Sequence, residues 1–269
     1  EGIRMRLDGD WVSADGTTLG ADNGIGVAAI MAILASKDLV HPPIEALFTI
    51  DEETGMTGAQ GLAGGLMQAK VMLNLDTEDD SELCIGCAGG LDVQAACSYE
   101  ETEISDEHDF VEVRLQGLTG GHSGMDIHKG RANANKLMNR FLYAATLKFG
   151  LRIASIDGGG LRNAIPRESA AVVAIPRKRL EEFQAYVGEE SASYSKEYQS
   201  TDPDCRLSSS VVAGSPKVMD REFQTRLLCT VYAVNNGIYR MSPDVPGLVQ
   251  TSNNLARLLV KDGKFKLAC

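Results

Sequence analysis

The clearest indication of the fold comes from VEVRLQGLTGGHSGMDIHKGRANANKLMNRFLYAATLK (111–148), where a glycine-rich loop joins a strand pattern to a helix pattern. VEVRLQG (111–117) alternates apolar and polar residues, as a half-exposed strand does. The helix predicted at 131–148 carries apolar residues on one face, at i, i+3 and i+4 spacing: Ala134, Leu137, Met138, Phe141, Leu142 and Ala145. This stretch therefore predicts one strand and one helix of an α+β layer.

The rest of the C-terminal part continues the same alternation. It contains strand patterns near 151–157, 168–176 and 205–213, and helix patterns near 178–199 and 218–236. The tail turns on Asp262-Gly263, a dipeptide typical of tight hairpins. A β-α-β-β-α-β order predicts a ferredoxin-like α+β domain over residues 91–269.

The N-terminal part, residues 1–90, has a different texture. The segment 24–38 is apolar on nearly all sides, which predicts a covered helix. IEALFTI (44–50) and VMLNL (71–75) are continuous apolar runs that predict buried strands, with a glycine-rich helix at 58–69 between them. Strand, helix and strand in this order predict an α/β domain with a parallel sheet.

Acidic residues follow both predicted strands. Asp51-Glu52-Glu53 comes directly after the first strand and Asp76 directly after the second, while Asp22 lies in the loop before the first helix. Open α/β sheets bind ligands at the carboxyl ends of their strands. Carboxylates alone suit magnesium or manganese, whereas zinc prefers imidazole as well. None of the four histidines stands at a strand end, so the residues alone predict an incomplete metal site.

Other readings of these motifs remain open. Gly24-Ile-Gly26-Val-Ala-Ala29 fits a G-x-G-x-x-A dinucleotide loop with Glu45 for a ribose hydroxyl, although the preceding segment would make a poor strand. Cys84 and Cys87 form a lone C-x-x-C, which packing explains as readily as zinc or redox chemistry. His122 is either structural or functional; the glycines around it permit close approach of a ligand and favour function.

Composition narrows the class of protein. The chain has 269 residues and a formal net charge of −11, which argues against a nucleic-acid or anionic-membrane surface. No apolar run reaches bilayer length. The six cysteines lack disulfide spacing, which predicts reduced thiols and a cytoplasmic protein.

Several motifs, in order, carry a resemblance to a known family. They are TTLGADNGIGVAAIMAIL (17–34), DEETGMTGA (51–59), NLDTED (74–79), GCAGG (86–90), GLTGGHSGMDIHKGRANANKL (117–137) and LRNAIPRE (161–168). The chain resembles the aminoacyl-histidine dipeptidases, relatives of carnosinase and other two-zinc peptidases and aminoacylases. The resemblance is specific from about Gly16 to Glu168 and faint beyond about 178, and it implies a zinc-peptidase catalytic domain and a lid or dimerisation domain.

The resemblance implies a role for each matching residue. Asp22 would bridge two divalent metals, most naturally zinc, with manganese or cobalt as alternatives, and its peptide bond to Asn23 would be cis. Glu53 would bind one metal and Asp76 the other, and Glu52 would act as general base. His122 would bind substrate or stabilise the oxyanion, and Asn163 would contact the carboxylate end of the dipeptide. The implied protein is a cytoplasmic homodimer that hydrolyses Xaa-His and other dipeptides.

Two family features do not appear in this sequence: a His-x-Asp ahead of the GADNG loop and a further histidine near the C-terminus. We therefore expect an internal fragment of a dipeptidase that binds metal weakly and does not turn over by itself. A naturally truncated, inactive relative that serves as a dimerisation or regulatory module is the alternative. A nucleotide-dependent enzyme that uses the glycine loop is a third.

Overall fold

In the computed structural model, the described residues are 2–53, 55–77, 81, 83, 86–214 and 216–269. The chain divides into two compact units, Glu1–Ala88 and Gly89–Cys269. Across the residues described in both units, no helix is long and apolar enough to span a membrane.

The first unit contains one hairpin and two helices. The hairpin pairs β1 (Met5–Asp8) with β2 (Trp11–Ala14), and the helices are α1 (Ala21–Ala35) and α2 (Thr57–Gln60). α2 is far shorter than the helix predicted at 58–69. Glycines at 61, 64 and 65 follow it, and each glycine in a helix costs about 1 kcal/mol relative to alanine.

The predicted strands 44–50 and 71–75 are not strands in the structure. Their apolar side chains are exposed, Ile50 by 74% and Met72 by 82%. A parallel strand takes its hydrogen bonds from strands on either side, and β1 and β2 are the only paired strands among the described residues of this unit. The described residues of this unit therefore do not show the predicted parallel catalytic sheet.

α1 is also less covered than its sequence predicts. Ile25, Met31 and Leu34 are exposed, and Gly26 is the only buried residue of the helix. An all-round apolar helix needs partners on all its faces. The described residues of this unit do not supply them, so the prediction of a covered helix is wrong in this structure.

The second unit is built on a sheet and three helices. Its strands are β3 (Gln94–Ser98), β4 (Glu101–Thr102), β5 (His108–Gln116), β6 (Gly121–His122), β7 (Arg152–Gly159), β8 (Ala164–Ile165), β9 (Ser169–Pro176), β10 (Arg206–Val212), β11 (Val218–Met219), β12 (Gly237–Met241), β13 (Val249–Asn253), β14 (Arg257–Lys261) and β15 (Lys264–Ala268). Its helices are α3 (Ala134–Phe149), α4 (Leu180–Glu197) and α5 (Arg221–Ala233), with short 3₁₀ turns at Ile127–Lys129 and Arg177–Arg179.

Seven strands form one antiparallel sheet in the order β10-β5-β9-β7-β14-β15-β3. Along the chain, β5-α3-β7-β9-α4-β10 is the predicted β-α-β-β-α-β order, and each element begins and ends within a few residues of its predicted position. β14, β15 and β3 extend this motif at one edge. Short pairs form beside it, β6 with β8, β4 with β11 and β12 with β13.

The hydrophobic core lies within the second unit. α3 packs on β5, β7 and β9, while α4 packs on β9 and β10 and α5 on α3 and β7. All buried apolar side chains among the described residues fall between Phe110 and Leu267. The aromatic rings of Phe141 and Phe149 in α3 pack against those of Phe183 and Tyr186 in α4.

Local chemistry fixes the ends of these elements. Asn133 caps α3, because its side-chain oxygen accepts from the backbone N–H groups of Asn135 and Lys136. The β14–β15 hairpin turns on Asp262 and Gly263, whose φ angles are 52° and 69°. Two successive positive φ values are those of a type I′ turn, which confirms the predicted hairpin.

Candidate metal and substrate site

Asp22 lies in the irregular first turn of α1. The peptide bond from Asp22 to Asn23 is cis, as the resemblance predicts, and both residues depart from helical geometry. Regular helix starts after Asn23, whose side-chain oxygen accepts from the N–H of Gly26 at 3.1 Å. A Cβ at Gly26 would lie 2.3 Å from that oxygen, so this cap requires glycine.

Glu52 and Glu53 lie on a closed turn. At its base, the N–H of Gly58 donates to the carbonyl of Ile50 at 3.2 Å. Within it, the carboxylate of Asp51 accepts from the hydroxyl of Thr57 at 2.7 Å. The backbone of Asp51 is left-handed, with φ at 64°. Asp51 therefore holds the turn, while the two glutamates are exposed at its tip.

Asp76 lies near the other acids that were predicted to form the site. The N–H of Asp76 donates to the side chain of Asn74 at 3.2 Å, which fixes the local turn. Partial loss of water raises the pKa of the still accessible Asp76 carboxyl. A hydrogen bond with Asp22 and the negative charges of Asp22, Glu52 and Glu53 raise that pKa further. The four acids named from the sequence thus lie within electrostatic range of one another.

Carboxylate oxygens are ligands that divalent cations accept, so the chemistry of this group fits a metal site. Over the part of the chain that the structure describes, however, no three His, Cys, Asp or Glu side chains form a group that could hold a metal ion. The structure brings the predicted ligands near one another without completing a coordination site.

In the second unit, His122 and Asn163 lie side by side. β6 pairs with β8 so that His122 faces Ala164, and the N–H of Ser123 donates to the carbonyl of Asn163 at 2.7 Å. The side chains of His122 and Asn163 are both exposed. The two residues predicted to bind substrate are therefore presented together.

The ring of His122 is oriented by its own loop. Its Nδ1 accepts from the backbone N–H groups of Gly124, at 3.1 Å, and Met125, at 3.2 Å. Backbone N–H groups can only donate, so Nδ1 carries no proton and the proton of the neutral ring is on Nε2. Nε2–H is thus the group that His122 can offer to a ligand.

Asp126, which the sequence reading overlooked, braces His122. Its carboxylate accepts from the N–H of His122 at 2.9 Å and pairs with Lys129 at 2.7 Å and Arg131 at 3.2 Å. The bond from Lys129, the N–H of His122 and the nearby positive charges lower the pKa of Asp126 to about 2. The sequence signal that could have identified Asp126 is its position: it lies four residues after His122, inside the same glycine-bounded loop.

The structure gives little support to a functional role for the other sequence motifs. The carboxylate of Glu45 accepts from the backbone N–H of Gln68, and no strand leads directly into α1, so the dinucleotide reading is not favoured. Cys84 lies outside the described residues, which leaves the C-x-x-C motif undescribed. His128 is exposed, like His122.

Comparison with known proteins bears on the whole chain. Residues 113–199 match the peptidase dimerisation domain of the M20 peptidases, a range that includes His122 and Asn163. The cytosol non-specific dipeptidase of Escherichia coli (strain K12) is 37% identical over 267 residues, which cover 99% of this chain and 55% of the relative. A shorter match of 81 residues, 33% identical, links 29% of the chain to 22% of the uncharacterized protein YqjE of Bacillus subtilis (strain 168).

Among solved structures, aminoacylhistidine dipeptidase from Vibrio alginolyticus is 41% identical with a TM-score of 0.77. The match covers 99% of this chain and 55% of that one. The chain thus spans about half the length of the two dipeptidases. It is a homologue of the cytosol non-specific and aminoacylhistidine dipeptidases of the M20 family.

Proposed function

We propose that this chain is part of a cytoplasmic, metal-dependent dipeptidase that hydrolyses Xaa-His and other dipeptides. The observation that carries the proposal is the 41% identity and TM-score of 0.77 with aminoacylhistidine dipeptidase over 99% of the chain. That match spans every residue to which we give a role. The grouping of Asp22, Glu52, Glu53 and Asp76 supports it.

Asp22, Glu53 and Asp76 would hold two divalent ions, zinc by preference. When bound, such ions polarise the scissile carbonyl and lower the pKa of water toward neutrality. The three carboxylates would supply oxygen ligands to the ions, and their negative charges would offset the positive charge of the ions. No three His, Cys, Asp or Glu side chains among the described residues form a group that could hold a metal ion, so we propose that residues 1–269 by themselves bind metal weakly and do not turn over.

Glu52 would act as general base. It adjoins Glu53 on the closed turn, so it can take a proton from the attacking water while its neighbour binds metal. It would then deliver that proton to the leaving amine. A positioned general base typically contributes about 10²–10⁴ in rate.

His122 would stabilise the negative charge that develops on the carbonyl oxygen. The tautomer imposed by Gly124 and Met125 makes Nε2–H a donor, which is what an oxyanion requires. Asn163, fixed next to His122 through the Ser123 bond, would contact the carboxylate end of the dipeptide. The match of residues 113–199 to a dimerisation domain supports a homodimer through the second unit.

Substitution of the proposed base and of one proposed ligand in the natural full-length protein tests this proposal. We expect Glu52→Ala to lower kcat by about 10²–10⁴ with metal content unchanged, and Asp22→Ala to lose metal and activity together. Glu103→Ala, at an exposed acid of the second unit, is the matched control and should retain both. Dipeptide hydrolysis and elemental analysis give the readouts, and near-normal activity in Glu52→Ala would disprove the base assignment.

An inactive dimerisation or regulatory module is the second candidate. It is favoured by the confinement of the buried core to the second unit. Full-length protein that binds no divalent metal and hydrolyses no dipeptide, yet sediments as a dimer, would select this alternative.

A further inference from the structure

The loop that carries His122 is closed at its base by one side chain. The loop leaves β5 after Gln116 and reaches α3 at Asn133. Near its start, the N–H of Thr119 donates to Oδ1 of Asp202 at 2.8 Å. Near its end, the N–H of Ala132 donates to Oδ2 of the same carboxylate at 2.9 Å.

Asp202 is itself held rigidly. It follows α4, its exposed fraction is 0%, and its Oδ2 also accepts from the hydroxyl of Thr201 at 2.8 Å. Its own N–H donates to the carbonyl of Tyr198, and its carbonyl accepts from the N–H of Cys205. A buried carboxylate is tolerated only when donors satisfy it, and two of its donors here are the two ends of the His122 loop.

The rest of the loop is braced from within. Asp126 holds the N–H of His122, and Arg131 donates to the carbonyl of Gly120 at 2.5 Å. The hydroxyl of Thr119 donates to the carbonyl of Thr201 at 2.7 Å, a second bond between the loop and the turn after α4. The two ends of the loop are therefore both hydrogen-bonded to one carboxylate, that of Asp202.

We infer that Asp202 is a positioning residue for His122, acting through the two ends of its loop; this rests on the proposed role of His122 in hydrolysis. The carboxylate of Asp202 binds the ends of the loop, while the His122 ring takes its own hydrogen bonds from Gly124 and Met125. A carboxylate can hold both ends of the loop because both of its oxygens accept hydrogen bonds, whereas the amide of asparagine accepts at only one. Replacement by asparagine sets an NH₂ group against one of the two backbone donors and releases that end of the loop.

The test compares Asp202→Asn with Asp204→Asn, the same chemical change at an exposed neighbour, in the natural full-length protein. In Asp202→Asn we expect amide exchange at Thr119 or Ala132 to accelerate at least tenfold and the ¹⁵N signals of the His122 ring to lose the single Nε2–H tautomer. We also expect kcat/KM to fall roughly 10- to 100-fold, the size of loss that a small misplacement causes. Asp204→Asn should change none of these.

A double-mutant cycle separates positioning from general destabilisation. If Asp202 acts through His122, Asp202→Asn causes no further loss of kcat/KM in a His122→Ala background. An equal loss in both backgrounds, or unchanged exchange and ring signals, overturns the inference. A His122→Ala enzyme with full activity would instead overturn the proposed role of His122, a result that the exchange and ring data distinguish from failure of the clamp.

A milder variant tests the same inference if Asp202→Asn does not fold well. Thr119→Ala removes only the exposed hydroxyl bond to Thr201. It should accelerate exchange at the start of the loop in the same direction by a smaller factor, and exchange equal to wild type there would count against the clamp.

Discussion

The two units of the molecule differ in how their apolar residues are used. In the second unit, α3, α4 and α5 cover one face of a seven-stranded antiparallel sheet, and Phe141 is 0% exposed. In the first unit, Phe48 lies in the continuous apolar run 44–50, but its side chain is 50% exposed. Each strand of that sheet has at least one paired neighbour, whereas the predicted strands 44–50 and 71–75 have none among the described residues of the first unit. Hydrophobicity alone therefore does not make a strand.

Charge is also distributed differently. Asp76 in the first unit is surrounded by acids, which together with partial desolvation raise its pKa. Asp126 in the second unit is surrounded by cations and a backbone donor, which lower its pKa to about 2. The first unit thus holds carboxylates that repel one another, and the second holds carboxylates used as structural acceptors.

The largest expected contrast is between two phenylalanines. Phe141→Ala removes a fully buried ring and should lower the free energy of unfolding of chain 1–269 by about 3–5 kcal/mol. Phe48→Ala in the same chain should change it by less than about 0.5 kcal/mol, because the ring is already half exposed. Urea denaturation followed by circular dichroism gives both values. Equal losses would show that the first unit has a core of its own.

Substitution of one glycine in each unit compares the stability of the two units again, with a smaller expected effect. Gly188 in α4 and Gly64 after α2 both have open space around a Cβ and no positive φ. Gly188→Ala should stabilise the chain by about 0.4–1 kcal/mol, because it removes freedom from the unfolded state of a cooperative unit. Gly64→Ala should leave the denaturation midpoint unchanged. A shift of the midpoint by Gly64→Ala would place that segment inside the cooperative fold.

The smallest expected effect is local and depends on pH. The folded-state pKa of Asp126 is about 2, below the ordinary value of 3.8, so its bonds contribute fully above about pH 4 and are lost as pH falls toward 2. Exchange at the His122 amide, followed by NMR, should therefore become faster relative to the intrinsic rate of an unprotected amide as pH falls from 4 to 2. Asp126→Asn should show this faster exchange at neutral pH as well. A flat profile in the wild type would remove Asp126 as the brace.

What the sequence could predict follows the same division. The i, i+3 and i+4 pattern of α3 and the Asp262-Gly263 turn are local signals, and the structure has both elements where they were predicted. The apolar runs at 44–50 and 71–75 describe an environment that depends on neighbouring strands, so their strand character could not be decided from the runs themselves.

For the site, the residue pattern itself singled out the acids at Asp22, Asp51-Glu52-Glu53 and Asp76, together with His122. The resemblance added Asn163, the role of each residue and the cis bond at Asp22. It did not supply Asp126 or Asp202. The bonds from Asp202 to Thr119 and Ala132 join residues 83 and 70 positions apart, and only the folded chain brings them together.

Hydrogen exchange read by mass spectrometry on chain 1–269 tests most directly the claim that the second unit carries the fold. We predict that peptides from β5, β7, β9 and α3 exchange only through global unfolding, while peptides covering 44–50 and 71–77 exchange within seconds. Protection of 44–50 and 71–77 equal to that of β9 would contradict the account, because it would show a paired sheet in the first unit.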